Sequence, residues 1–289
     1  MNNLTLKAPA KINLNLKILD KRKDGYHNIK SEFRTINLFD NIKLTLIPEG
    51  IQLITSGKYR IPNNRDNLVF QIAEKLRSHA KGKVGVKIEL DKQIPLFAGL
   101  GGGSSDAATV MQGLNQLWDL NLSNEKQVEI GKKIGADIPF FLYGGHCLVE
   151  GIGEKVTPLK IPEDEQYVII AQLPYIKIST PWAYSQWDKL QITNYESNVP
   201  IEGDTQKKSP LRGLGGVNEN DFEKVIFQHF PDLRELKEFF LQSGANRANM
   251  TGSGSAIYGI FAEKETAQKC LEKIKGKCEF VYLGKTTKK

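Results

Sequence analysis

Residues 95–118, "PLFAGLGGGSSDAATVMQGLNQLW", place four glycines (Gly99, Gly101, Gly102 and Gly103) within five positions and then run straight into a helical pattern. Glycine lets backbone N–H groups turn toward a ligand with no Cβ in the way, and it makes positive φ values cheap. The apolar stripe that follows (Ala107, Val110, Met111, Leu114, Leu117, Trp118) has the spacing of an amphipathic helix. The glycines therefore stand at a helix N-terminus, where unpaired amides and the helix dipole favour an anion. Together these features predict a phosphate cradle. Ser104 and Ser105 are placed to cap the helix or to bond phosphate oxygens, and Asp106 is a further capping candidate. A flexible turn with an ordinary serine cap is the plainer alternative. Four glycines joined to SSDAA and a long helix weigh against it.

The loop fits neither common phosphate-binding motif. No lysine follows the glycines as the P-loop requires, and Ser104 stands where the dinucleotide fingerprint needs its third glycine. The chain also lacks the HRD and DFG triplets of protein kinases. A second glycine-bearing stretch, "NMTGSGSAIYGIF" (249–261), follows a helical pattern and leads into a strand. A tight connection would explain it, or it closes over the phosphates or the group that accepts them.

Outward from this centre, "INLNLKI" (12–18) alternates apolar and polar residues as a half-buried strand does, with Lys11, Asn13, Asn15 and Lys17 on the polar face. Alternation returns at Ile42/Leu44/Leu46 and at Val84/Val86/Ile88/Leu90, with a helical pattern over 66–80 between them. Gly, Pro and charged residues over 151–165 predict a boundary. Beyond it come strands at 167–173, 256–261 and 279–283 and helices near 219–229, 232–243 and 264–275. The polar segment 191–216 reads as a mobile loop. The expectation is an α+β protein of two domains, 1–158 and 159–289.

Composition narrows the partners. At 289 residues, 40% hydrophobic and 25% charged, the chain is long enough to bury a sizeable core. It has no run of eighteen apolar residues and no signal-peptide pattern at its start, so a cytoplasmic protein without a membrane partner is expected. Cys147, Cys270 and Cys278 form no metal-binding spacing and read as idle thiols. The net charge of +7 is spread along the chain, which suits an anionic small substrate and does not demand nucleic acid.

Three groups have chemical promise. Asp137, in "GADIPFFLYGG", is an acid in apolar company, which is costly unless a cation or hydrogen bonds hold it. Lys11 shares a strand face with Asn13. In "KDGYHNIKSEF" (23–33), Tyr26 and His27 follow an Asp24-Gly25 turn and are suited to stack on and hydrogen-bond a planar base. The plain readings are a turn or cap for Asp137, a solvated strand-edge charge for Lys11, and a hairpin with an exposed aromatic.

The order "PAKINLNL", "DGYHNI", "PLFAGLGGGSSDAA", "GADIPFF" and "MTGSGSAIYGIF" resembles the GHMP kinases over most of the chain, and within them a branch whose acceptor is a cytidine diphosphate ester. The resemblance implies a two-domain GHMP-kinase fold with the active site in the cleft between domains. It implies that Pro95 and the run Gly99, Leu100, Gly101, Gly102, Gly103, Ser104 and Ser105 hold ATP, with Asn67 near the adenine. It makes Lys11 and Asp137 the catalytic pair, with Asn13 binding the acceptor beside them. Tyr26, His27, Thr180 and Tyr184 would line the cytidine site, Tyr184 forming a sandwich with Tyr26. Mg²⁺ is expected with ATP, with Ser105 as one candidate ligand and the remaining metal ligands unassigned. A kinase for another alcohol and a basic RNA-binding domain are the rival expectations. The aromatic pair argues against the first, and Lys11 with Asp137 against the second.

Overall fold

A computed structural model describes residues 2–160, 166–197 and 219–287. The chain opens with two long strands, β1 (Asn3–Lys21) and β2 (His27–Ile47), joined by a turn in which Arg22 pairs with Asp24 and Gly25 takes φ +88°. There follow β3 (Gly50–Gly57), α1 (Leu68–Arg77), β4 (Gly85–Lys92) and α2 (Gly102–Leu117). The first unit ends with α3 (Asn124–Gly131), α4 (Ile138–Tyr143), β5 (His146–Gly151) and β6 (Lys155–Pro158).

Strand β1 covers one whole edge of β2, while the other edge is shared by β5 at its start and β4 at its end. β3 lies parallel to β4; the other pairings in this sheet are antiparallel. Helices α1 and α2 pack against each other, with α4 beside α2. They bury Val69, Ile72, Ala107, Val110, Met111 and Leu114 against apolar residues of the sheet. This is how a sheet with one apolar face is stabilised in water.

A second sheet has the order β10–β7–β9–β8, antiparallel throughout, from β7 (Tyr167–Gln172), β8 (Arg247–Met250), β9 (Ile257–Phe261) and β10 (Phe280–Lys285). Its helices are α5 (Thr180–Ser197), α6 (Glu223–His229), α7 (Pro231–Gln242) and α8 (Lys264–Ile274). Residues 191–197, expected in a loop, continue α5, and the rest of the expected loop lies outside the described residues. Among the described residues no helix is long and apolar enough to cross a membrane.

Strict alternation along 12–18 does not hold. The register shifts from Asn13 opposite Phe33 to Asn15 opposite Glu32, a bulge at Leu14. Because side chains alternate with period 2, one extra residue flips the rest of the strand. Leu16 and Ile18 thus join the face that carries Lys11 and Asn13, and they enter the core of the second unit beside Ile169 and Phe222. The backbone of Leu16 also bonds Glu219 and Asp221 from that unit. A third apolar cluster, including Ile12, Ile36, Val168, Ile170 and Tyr258, seals the two sheets together.

Candidate active site

A cavity of about 650 Å³ opens between the two units, lined by residues of the β1–β2 hairpin, both glycine loops, the start of α4, and α5. Its floor is polar and tightly bonded. Lys11 is buried, and its Nζ donates to Asn13 Oδ1 at 2.6 Å and lies 4.7 Å from the centre of the Phe33 ring. Asn13 Nδ2 donates in turn to Ser31 Oγ at 2.9 Å, and Thr251 Oγ1 lies 3.2 Å from Asn13 Oδ1. Burial pushes the Lys11 ammonium below its ordinary range, and the negative charge of Asp137 opposes that fall. Among the described residues no direct ion pair joins Lys11 and Asp137, although both line the cavity. An acid and a cation that share a cavity without bonding each other leave room for a third group.

Local sequence explains the position of Asp137. Pro139 lies in the first turn of α4, where its missing N–H costs nothing, and Asp137 occupies the N-cap without a side-chain cap bond. Its carboxylate therefore remains free to face the cavity, while Phe140 and Phe141 turn into the core.

The glycine run builds the cavity's second wall. Gly99 and Gly101 take φ +71° and +70°, and Gly101 is the N-cap of α2. The first backbone bond of that helix runs from Ser105 N–H to Gly101 O (2.9 Å). Among the described residues the amides of Gly102, Gly103 and Ser104 have no acceptor, which is the arrangement an anion requires. A Cβ on Gly101 would sit 2.8 Å from the Phe141 ring and 3.1 Å from Lys11 Cγ, so the loop closes directly on the lysine stem.

The expected site residues divide into two sets. Lys11, Asn13, Tyr26, His27, Gly99, Gly101, Ser104, Asp137, Thr180 and Tyr184 all line the one cavity. Gly102 and Gly103 contribute backbone just beyond it. Pro95 and Leu100 are buried; the Leu100 carbonyl accepts the Lys11 amide at 3.0 Å. Ser105 is sealed from solvent with its Oγ unpartnered, because it faces the core from the first turn of α2; it does not reach the cavity. Asn67 spends its side chain capping α1, accepting from Val69 N–H at 2.9 Å and donating to Pro62 O at 2.7 Å. It lies outside the cavity, although Leu68 beside it neighbours Gly103. Asp106 caps nothing: it is buried and ion-paired to Lys92 at 2.7 Å, with Asp40 on the same ammonium.

The aromatic pocket has one contact that was not expected. The His27 ring stacks on Tyr184, with centroids 4.7 Å apart and planes 10° from parallel. Tyr26 is 60% exposed at the rim. Sequence reasoning missed Asp188, which bonds His27, and Ser253, whose Oγ lies 3.0 Å from that of Thr180. The spacing of Asp188 four residues after Tyr184 on a helix was a readable signal for the first.

No cluster of three or more His, Cys, Asp or Glu side chains suited to a metal occurs among the described residues. Ser105, the expected candidate ligand, is sealed away from the cavity.

Comparisons with known proteins converge. Residues 67–145 match the GHMP kinases N terminal domain and residues 202–279 the GHMP kinases C terminal domain. The 4-diphosphocytidyl-2-C-methyl-D-erythritol kinase of Thermoanaerobacter pseudethanolicus is 38% identical over 289 residues, covering 100% of this chain and 98% of that protein. A crystal structure of 4-(cytidine 5'-diphospho)-2C-methyl-D-erythritol kinase superposes with a TM-score of 0.77 at 27% identity, over 98% of this chain and 99% of that one. Homoserine kinase from Cytophaga hutchinsonii shares the fold, with a TM-score of 0.69 at 19% identity over 100% and 96% of the two chains.

Proposed function

The chain belongs to the GHMP kinase family, and from that membership we propose that it transfers the γ-phosphoryl group of ATP to the 2-hydroxyl of 4-diphosphocytidyl-2-C-methyl-D-erythritol, a step of the methylerythritol phosphate route to isoprenoid precursors. The observation that carries this reading is a single cavity joining Lys11 and Asp137 to an aromatic pocket made by His27 and Tyr184.

ATP supplies the phosphoryl group, and the rest of the work is positioning and charge stabilisation. The free amides at the start of α2 and the Ser104 side chain hold phosphate oxygens, with the helix dipole behind them. Asn67 stands near the adenine beyond the cavity, as cap of the helix beside Gly103. Lys11, fixed by Asn13 and by the Phe33 ring, presents a cation to the accepting hydroxyl and to the charge that develops beside it. Asp137 orients that hydroxyl and takes its proton. Tyr26, His27, Thr180 and Tyr184 hold the cytidine end of the acceptor. Mg²⁺ carried in by the nucleotide would supply positive charge to the phosphates, and none of the described residues is assigned as its ligand. The unit 1–158 holds the nucleotide, and 159–289 completes the acceptor pocket.

The test is phosphoryl transfer from ATP with Mg²⁺ to the cytidylyl substrate, with mevalonate and homoserine assayed in parallel. Turnover confined to the cytidylyl substrate supports the reading. Turnover on a small aliphatic alcohol keeps the phosphate cradle and discards the cytidine pocket.

A further inference from the structure

His27 opens β2, and its imidazole is held from two sides by one helix. Tyr184 lies flat against the ring, and Asp188 Oδ1 stands 2.7 Å from Nε2. Tyr184 and Asp188 are four residues apart on α5 and so share a helix face. The other carboxylate oxygen of Asp188 accepts from Lys21 Nζ at 2.6 Å. Burial raises the Asp188 carboxyl, but the hydrogen bonds from Lys21 and His27 outweigh it and hold the group below its ordinary value. An ionised carboxylate only accepts, so the His27 proton resides on Nε2. In a neutral imidazole Nδ1 is then a bare acceptor. Among the described residues it has no partner, and His27 lines the cavity.

From these contacts we infer that Asp188 is a positioning residue that sets the tautomer of His27 and, through it, the choice of pyrimidine. The inference rests on the cytidine reading of the acceptor given above. An acceptor at Nδ1 matches the exocyclic amine of cytosine. Uracil offers a carbonyl oxygen at the same place, and two acceptors then face each other without a proton between them. A base lying in the plane of the imidazole continues the stack over Tyr184. That ring is held from its side by Phe222, with centroids 4.9 Å apart at 74°. In Asp188→Asn the amide can turn its NH₂ toward Nε2. The ring proton then moves to Nδ1, and the group that reads the base becomes a donor.

The experiment measures binding of CDP and UDP to wild-type protein and to Asp188→Asn, with the ¹⁵N imidazole shifts of His27 recorded for both. Wild type is expected to prefer CDP by about tenfold or more, with the proton on Nε2. Asp188→Asn is expected to bring the two affinities within about threefold of each other and to shift the imidazole signature toward the Nδ1–H form. Asp188→Glu retains a carboxylate and is expected to keep the preference for CDP, which guards against a general effect of altering the helix. If Asp188→Asn weakens both nucleotides by the same factor and leaves the tautomer unchanged, the inference fails while the cytidine reading stands. If wild type binds CDP and UDP equally, the cytidine reading fails and takes the inference with it.

Discussion

Thr251 Oγ1 donates to the Gly99 carbonyl at 3.1 Å, and a Cβ on Gly99 would run into the Thr251 carbonyl oxygen. The two glycine-bearing stretches, 152 residues apart, are thus in backbone contact at the mouth of the cavity. Gly99 serves this contact twice over: it has no side chain, and it adopts φ +71°. Gly99→Ala is expected to cost about 2–3 kcal/mol of stability, from overpacking and from the unfavourable backbone conformation together. Urea unfolding measures it. A variant as stable as wild type would show that the two loops separate freely.

Asp137 and Lys11 face the same space without bonding each other. If Asp137 takes the proton of the hydroxyl, Asp137→Asn should lower kcat by about 100-fold or more with little change in KM. Lys11→Met should also lower kcat, since it removes the cation from beside the developing charge. Steady-state kinetics on both variants check the assignment, and near-normal turnover by Asp137→Asn would remove it from proton transfer.

Beneath the glycine loop, buried Lys92 binds both Asp40 and Asp106, and a Cβ on Gly102 would lie 2.7 Å from its Nζ. Burial, with the carboxylate of Asp40 nearby, outweighs the attraction of Lys92 and pushes the Asp106 carboxyl up to about 8. Since the folded-state value lies above the unfolded one, the folded protein binds more protons between about pH 4 and pH 8, and stability from this group is lost as pH rises through that window. Asp106→Asn mimics the protonated form. It is expected to flatten the decline by up to about 1.4 kcal/mol per pH unit. Denaturation midpoints from pH 5 to pH 9 decide the matter, and parallel curves for the two proteins would contradict it.

Tyr258 is fully buried, and its hydroxyl donates to the Asn13 carbonyl at 2.9 Å, tying the second sheet to the strand that carries Lys11. Tyr258→Phe should cost about 1 kcal/mol, with the carbonyl of Asn13 left short of one donor. Thermal unfolding reports the loss, and an unchanged midpoint would mean that the bond contributes nothing to stability.

Much of this molecule could be read in the chain. The helix after the glycines, the helix at 68–77 and strands β4, β7, β9 and β10 announce themselves through one dominant period and clear turn residues. Lys11, Asp137 and the glycine run were legible because a free acid in apolar company and a bare backbone are each costly without a purpose. Other features depend on partners distant in sequence. The bulge at Leu14 is invisible to a period-2 pattern, since its cause is the register against β2. Asp106 has the look of a cap residue until Lys92 and Asp40 are seen around it. Ser105 differs from Ser104 only in which side of a helix turn it occupies, and the sequence does not mark where that turn begins.

The flipped half of β1 has a consequence for how the protein can be divided. A fragment ending at residue 158 would carry Leu16 and Ile18 with nothing to cover them, and a fragment starting at 159 would hold a core missing two of its members. Each piece would expose the surface that its counterpart completes.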